Sequence, residues 1–396
     1  MATANPISGD IKLSERPAAE LLVFVAAMPP DRFEGLLKNL ADAFSSANVS
    51  VASQSELPEN KFANLTVIPV PQSSPGWTLK PSDFMNAFEM AGKLEARAIL
   101  ILGPGADSLS QSALRNLGEA ASGPTFDLAV PCYALPPHAG LINSAILYPL
   151  TRALFAARTR FPLAIDLGLS FRMAERLAAA AQRMSAASQD NTLLWPVNEA
   201  IAAGFAIGEV TAGPRSVPQP SEPDVNAILA FVTGSLFSDI EAKAAYWQRP
   251  RRPTPPQRSP LQSASGDGTA DVPRMIEAFR LGYTNLLELW SLILPPNTLL
   301  LLKRLSALDA SAFRMPENLW ARIVYDFLIA YRQRTMNRGH VMGALIPLYL
   351  AWAASHINIV TSGTPSESHV EAVAAAFETD KPYLVARWRW PDRFTS

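Results

Sequence analysis

The chain has 396 residues, 48% of them apolar and 17% charged, which excludes a disordered polypeptide and leaves room for more than one domain. Its 34 basic and 35 acidic residues give a net charge of −1, which excludes a basic footprint for nucleic acid. The single cysteine, Cys132, excludes an internal disulfide and fits a reducing, cytoplasmic setting. No secretory signal is read in MATANPISGDIKLSERP, which lacks a basic region followed by an apolar run.

The first half alternates strand and helix signals. LLVFVAA (21–27) is a continuous apolar run, followed by DRFEGLLKNLADAF (31–44) with helical spacing and Asp31 as its cap. NLTVIPV (64–70) and SDFMNAFEMAGKL (82–94) repeat the pattern, then come AILIL (98–102) and FDLAVPCY (126–133) as further strands. Buried strands alternating with amphipathic helices predict an α/β layer structure with a mostly parallel, Rossmann-like sheet.

Helices dominate the second half. DVNAILAFVTGSLFSDIEAKAAYW (224–247) has apolar residues on one face, and three more helices are read in the segments 274–294, 318–337 and 340–354. The segment 248–273 is rich in Pro, Ser, Gly and Arg and reads as a linker; its Arg249, Arg251, Arg252 and Arg258 lack the interleaved aromatics of a nucleic-acid binder. The apolar stretch 341–360 is long enough to span a bilayer. It carries Pro347, Ser355, His356 and Asn358, so a buried core helix is expected and not a transmembrane one. No internal repeat is found.

Local motifs are sparse. GPGADS (103–108) follows a strand but lacks the third glycine of a dinucleotide fingerprint and the Lys-Ser/Thr of a P-loop. Two readings stand: backbone amides that cradle an anion, or a capping box in which Ser108 caps a helix with Gln111. His138, His340, His356 and His369 have no partner at metal-binding spacing, and GLSFR (168–172) is half a nucleophile elbow without its second glycine.

Three longer segments carry more information. LINSAILYPLTRALFAARTRFPLAIDLGLSFRMAERL (141–177) resembles the acceptor-side segment of bacterial glycosyltransferases related to glucosyl-3-phosphoglycerate and mannosylglycerate synthases. In that family the run reads "YPLTRALYG" and then "QPIGGDFGFS". The segments 275–294 and 316–355 resemble the same family's C-terminal helices. The resemblance implies a GT-A-like nucleotide-sugar domain over 1–222, followed by a helical region over 223–396. It also implies transfer of a hexose from a nucleoside-diphosphate sugar to a small hydroxylated acceptor, and it leaves a homodimer open. Mg or Mn is expected in such enzymes, held by a D-x-D pair at a strand end and a downstream histidine, to neutralise charge on the departing diphosphate.

The departures fall on that metal site. Laid against the family's "GAKACAVVDSDLRS", the two acids become Gly103 and Gly105, with Asp107 two residues beyond. The acid of "GIDIW" falls near Leu193 and the histidine of "GAKIH" near Val217. The acceptor-side "YYxRHKYDG" is reduced to CYALPPHAG.

Other positions match. Lys80 corresponds to the lysine of the family's "GKG" loop on the donor side, where Gly103, Gly105 and Asp107 would also lie. Asp166 corresponds to its acid near the sugar, and is read as the catalytic candidate or as a cap for a helix over 170–186. Arg152 and Arg160 flank the YPLTRAL helix, set to pair with an acceptor phosphate or with helix-end carboxylates. No metal-ligating residue is assigned. Two functions follow: a glycosyltransferase working without the usual metal acids, or a catalytically silent relative that binds a ligand or a partner. A weaker third is a membrane-peripheral protein using 341–360 and the basic linker.

Overall fold

The computed structural model describes residues 20–26, 28–45, 48–53, 62–70, 76–186, 193–216, 225–249, 271–334 and 336–390. Most of the Pro/Ser/Arg-rich segment, with Arg251, Arg252 and Arg258, lies outside them, as does Val217.

Strands β1 (Leu21–Val25), β2 (Val49–Ser53), β3 (Leu65–Pro69), β4 (Ala98–Leu102), β5 (Leu128–Ala134), β6 (Asp166–Ser170) and β7 (Ile207–Pro214) form one sheet in the order β3-β2-β1-β4-β6-β5-β7. β6 runs antiparallel to β4 and β5, and the other neighbours pair in parallel. LLVFV and AILIL bury every side chain because helices cover both faces of a parallel sheet, which is why they read as unbroken apolar runs. The reversal at β6 sets Asp166 opposite Leu102, so the first residue of β6 lies at the carboxyl end of β4.

The crossover helices are α1 (Pro30–Ala43), α2 (Pro81–Lys93), α3 (Gln111–Ser122), α4 (Tyr148–Phe155), α5 (Phe171–Ala186) and α6 (Pro196–Ala203). Three cap expectations change. α1 is entered through extended Pro29 with Pro30 at its first position, so Asp31 lies inside the first turn and is not the cap. The cap of α3 is Ser110, whose hydroxyl accepts from the Ala113 N–H at 3.1 Å; Ser108 belongs to a separate 3₁₀ turn, Ala106–Ser108. Asp166 does not cap α5 but opens β6, and Ser170 Oγ accepts from Met173 N–H at 3.3 Å instead.

The helical region comprises α7 (Val225–Ala242), α8 (Ala244–Trp247), α9 (Val272–Asn285), α10 (Leu287–Ser291), α11 (Pro296–Ser306), α12 (Glu317–Gln333), α13 (Arg338–Thr361) and α14 (Ser366–Arg389). Trp247, Trp290, Trp320 and Trp352 are fully buried in its core. That core also takes in Ile146, Leu150, Leu154 and Phe155 around α4, as well as Trp195. The Trp320 indole N–H donates to the Ala145 carbonyl at 2.8 Å, tying α12 to the chain just before α4.

Among the described residues, α13 is the one helix long and apolar enough to cross a membrane. The mean hydropathy of its most apolar window is 1.4, and 61% of that window is buried. It packs against α7, α9, α12 and α14, and its buried Ser355 hydroxyl accepts from the Met315 N–H at 2.8 Å.

Candidate functional site

Gly103, Pro104 and Gly105 turn the chain between β4 and the 3₁₀ turn. Gly105 adopts φ +77°, a left-handed conformation that favours glycine. Gly103 is fixed by proximity: a Cβ there would lie 2.5 Å from the Ile165 carbonyl oxygen and 2.9 Å from Ile165 Cβ. The chain entering β6 therefore occupies the space that a side chain at 103 would need.

Asp166 sits beside this turn with no exposed surface, and both its oxygens are engaged. Oδ1 accepts from the Gly103 N–H at 3.1 Å, while Oδ2 accepts from the Tyr133 hydroxyl at 2.7 Å. Arg215, the first residue after β7, forks onto the same carboxylate from Nε at 2.9 Å and Nη2 at 3.2 Å. The guanidinium also donates to the Pro104 carbonyl at 2.9 Å, to Ser108 Oγ at 3.0 Å, to the Ser216 carbonyl at 2.9 Å and to the Gly105 carbonyl. Four donors reach a carboxylate with about four acceptor sites, and every N–H of the guanidinium has a protein acceptor. Burial works against the charge on Arg215, but Asp166, then Tyr133 and Asp107, hold its pKa above the usual value. Burial first, then Asp166, pushes the Tyr133 phenol well above the usual tyrosine range, so it stays a donor.

This corner does not fit a divalent cation. Both oxygens of the buried Asp166 carboxylate are already paired, and the Arg215 guanidinium held against it disfavours a second positive charge there. Asp107 has one buried oxygen without a partner, and its other oxygen lies 4.0 Å from Arg32 Nε. Among the described residues, no group of three or more His, Cys, Asp or Glu is placed to hold a metal.

The structure thus brings together Gly103, Gly105 and Asp166. Asp107 lies at the edge of that cluster, through its influence on Arg215. Lys80 stands at the start of α2, its backbone N–H donating to Asp83 at 2.8 Å. Leu193 is buried, its N–H donating to Ser235 Oγ at 2.8 Å. Arg152 donates to Glu371 at 2.5 Å and Glu378 at 2.8 Å, binding α4 to α14.

Arg160 forms a two-point pair with Glu367, 3.0 Å at each contact, and donates to Ser144 Oγ at 3.0 Å. It lines a small, open pocket together with Tyr133, Gly140, Phe161, Ser366 and Glu367. Tyr133 connects the two places: its hydroxyl holds Asp166 while its ring, 5.1 Å from that of Phe161, forms pocket wall.

Arg215 and Tyr133 are the residues of this corner that sequence reasoning missed. Arg215 lies in GPRSV, the segment laid against "GAKIH"; a search for a histidine there passes over the arginine two residues before Val217.

Gly103→Asp tests whether the glycine is a vacant acid position. The backbone clash predicts a loss of roughly 3 kcal/mol or more, read by urea unfolding, with no Mn²⁺ binding gained in calorimetry. Unchanged stability together with acquired Mn²⁺ affinity would show a site that only lacks its acids.

No protein-family profile matches the chain, and no curated protein matches it. Solved structures do. Glucosyl-3-phosphoglycerate synthase from Mycobacterium tuberculosis, in complex with Mn²⁺, uridine diphosphate and glucosyl-3-phosphoglycerate, matches with 13% identity and a TM-score of 0.37, covering 56% of this chain and 80% of that one. The same enzyme with Mn²⁺, UDP-glucose and phosphoglyceric acid matches with 12% identity and a TM-score of 0.36, over 56% and 80%. A mycobacterial protein matches with 12% identity and a TM-score of 0.37, over 56% and 74%.

Proposed function

We propose that this chain is a relative of the nucleotide-sugar glycosyltransferases that binds ligands without metal-dependent sugar transfer. The glycosyltransferase part of the reading rests on the sequence resemblance over 141–177, 275–294 and 316–355. One observation carries the silent part: the fully buried Asp166–Arg215 pair that fills the carboxyl end of β4.

Hexose transfer needs positive charge or N–H donors aimed at the diphosphate as it leaves. In a metal-free transferase Arg215 would be the natural source, yet its N–H groups all point to Asp166, Ser108 and backbone carbonyls. Asp166, the match to the family's acid near the sugar, has no accessible oxygen with which to position a substrate.

Calorimetric titration with UDP-glucose, with and without Mg²⁺ or Mn²⁺, tests this. The expected result is no enhancement of binding by metal and no transfer to phosphoglycerate or other small hydroxy acids. Metal-enhanced binding would overturn this reading, and turnover that disappears in Asp166→Asn would establish an active transferase instead.

A further inference from the structure

We propose that one end of the helical region docks on an anionic lipid bilayer surface, the end where α12 and α14 finish and α13 begins. α12 and α14 run the same way: Glu317 meets His369 near their starts, and Arg332 meets Trp388 near their ends. α13 returns from Arg338, whose guanidinium pairs with Glu241 and donates to the Tyr331 carbonyl. This surface is therefore at the opposite end of α14 from Glu367 and the Arg160 pocket.

Positive charge gathers here although the whole chain carries −1. Arg334, its side chain 69% exposed, shares Glu241 with Arg338 and lies 3.9 Å from it. Arg332 and Arg389 are held by neutral partners, which leaves their charge uncancelled. Arg332 donates to the Trp388 carbonyl at 2.6 Å and lies 4.2 Å over the same residue's ring. Arg389 Nε donates to Gln248 Oε1 at 3.1 Å, and the neighbouring Arg249 is exposed. An excess of arginine over carboxylate suits an anionic partner, and the guanidinium fork matches phosphate.

Apolar anchors decide between the anionic partners. Trp390, 58% exposed, directly follows Arg389. The Trp290 indole N–H donates to the Ala344 carbonyl at 2.9 Å and holds α10 against the first turns of α13. Leu287 opens α10 and Leu292, 76% exposed, follows it, with Glu288 as the acid between them. Tryptophan suits the headgroup level of a bilayer and leucine the acyl boundary, whereas exposed leucines offer nothing to a nucleic-acid backbone. Basic charge and apolar anchors are the two signals that reversible surface binding combines. α13 contributes its end and not its side, since 61% of its most apolar window is buried.

The test is co-sedimentation of the full chain with vesicles of phosphatidylcholine, either alone or with about one part in three phosphatidylglycerol. Binding is expected to the mixed vesicles only, and it should fall at least tenfold between about 0.1 M and 1 M salt. Arg334→Glu/Arg389→Glu is expected to weaken it at least tenfold, and Leu292→Ser/Trp390→Ser at least fivefold. All four side chains are exposed, so both variants should keep the urea midpoint of the unmodified chain. If the first fails to fold, Arg334→Glu decides alone, with an expected loss of threefold or more. No binding to the mixed vesicles, equal binding to phosphatidylcholine alone, binding indifferent to either variant, or binding to a short DNA duplex in place of vesicles would each overturn the proposal.

Discussion

Arg215→Met is expected to destabilise the protein by about 3–5 kcal/mol, measured as a shift of the urea midpoint at constant slope. The magnitude follows from what remains after the substitution. Asp166 has no exposed surface, so its charge would keep only the Gly103 N–H and the Tyr133 hydroxyl. The carbonyls of Pro104, Gly105 and Ser216 would lose their shared donor at the same time. The control is the double variant Asp166→Asn with Arg215→Met, which removes both charges and is expected to recover more than about 1 kcal/mol of that loss through coupling. A single-variant loss below about 1 kcal/mol would mean that the guanidinium does not hold the turn closed.

The closed corner also shows what local sequence patterns carry and what they do not. β1 and β4 are legible because a strand buried on both faces must be apolar throughout, and LLVFV and AILIL are. β2 and β6, written VSVAS and DLGLS, are not legible, because small and polar residues interrupt the run even though Ser50, Ser53 and Asp166 are buried. The resemblance lays Gly103 and Gly105 against acids, but the contacts that fix this turn are not legible in sequence: Ile165 approaches Gly103 from the chain entering β6, and Arg215 reaches Asp166 across 49 positions. Arg152 makes the same point, since its partners Glu371 and Glu378 lie 219 and 226 residues away. A periodic pattern reports a residue's own helix or strand, whereas an ion pair between elements depends on the assembled topology.

Acid is expected to destabilise the protein through a histidine pair that joins α13 to α14. His356 Nδ1 and His369 Nδ1 lie 2.7 Å apart, and both rings are buried and stacked near Trp352. One nitrogen must donate and the other accept, so the contact requires two neutral imidazoles; protonating the accepting nitrogen sets N–H against N–H. Burial, then His369, pushes the pKa of His356 down to about 3, with His138 and Arg160 acting in the same sense and the Pro137 backbone against it. Burial lowers that of His369 as well, opposed by Glu317 and reinforced by Arg314. Ser366 Oγ, 3.3 Å from His356 Nε2, is a neutral partner and adds no charge. Folded pKa values below the unfolded value near 6.5 mean that the unfolded chain binds more protons between about pH 6.5 and pH 3. Stability is therefore complete above about pH 6.5 and falls as the pH drops, by up to about 1.4 kcal/mol per unit for each histidine. Urea midpoints measured from pH 7 to pH 4.5 should fall accordingly, roughly 2–3 kcal/mol from His356 alone. Carboxylates titrate near the lower end of that range, so the comparison is with His356→Phe/His369→Phe, which keeps them and removes both imidazoles. That variant is expected to lose the slope between pH 6.5 and pH 5, whatever its stability at pH 7, and a slope equal to that of the unmodified chain would place the acid sensitivity elsewhere.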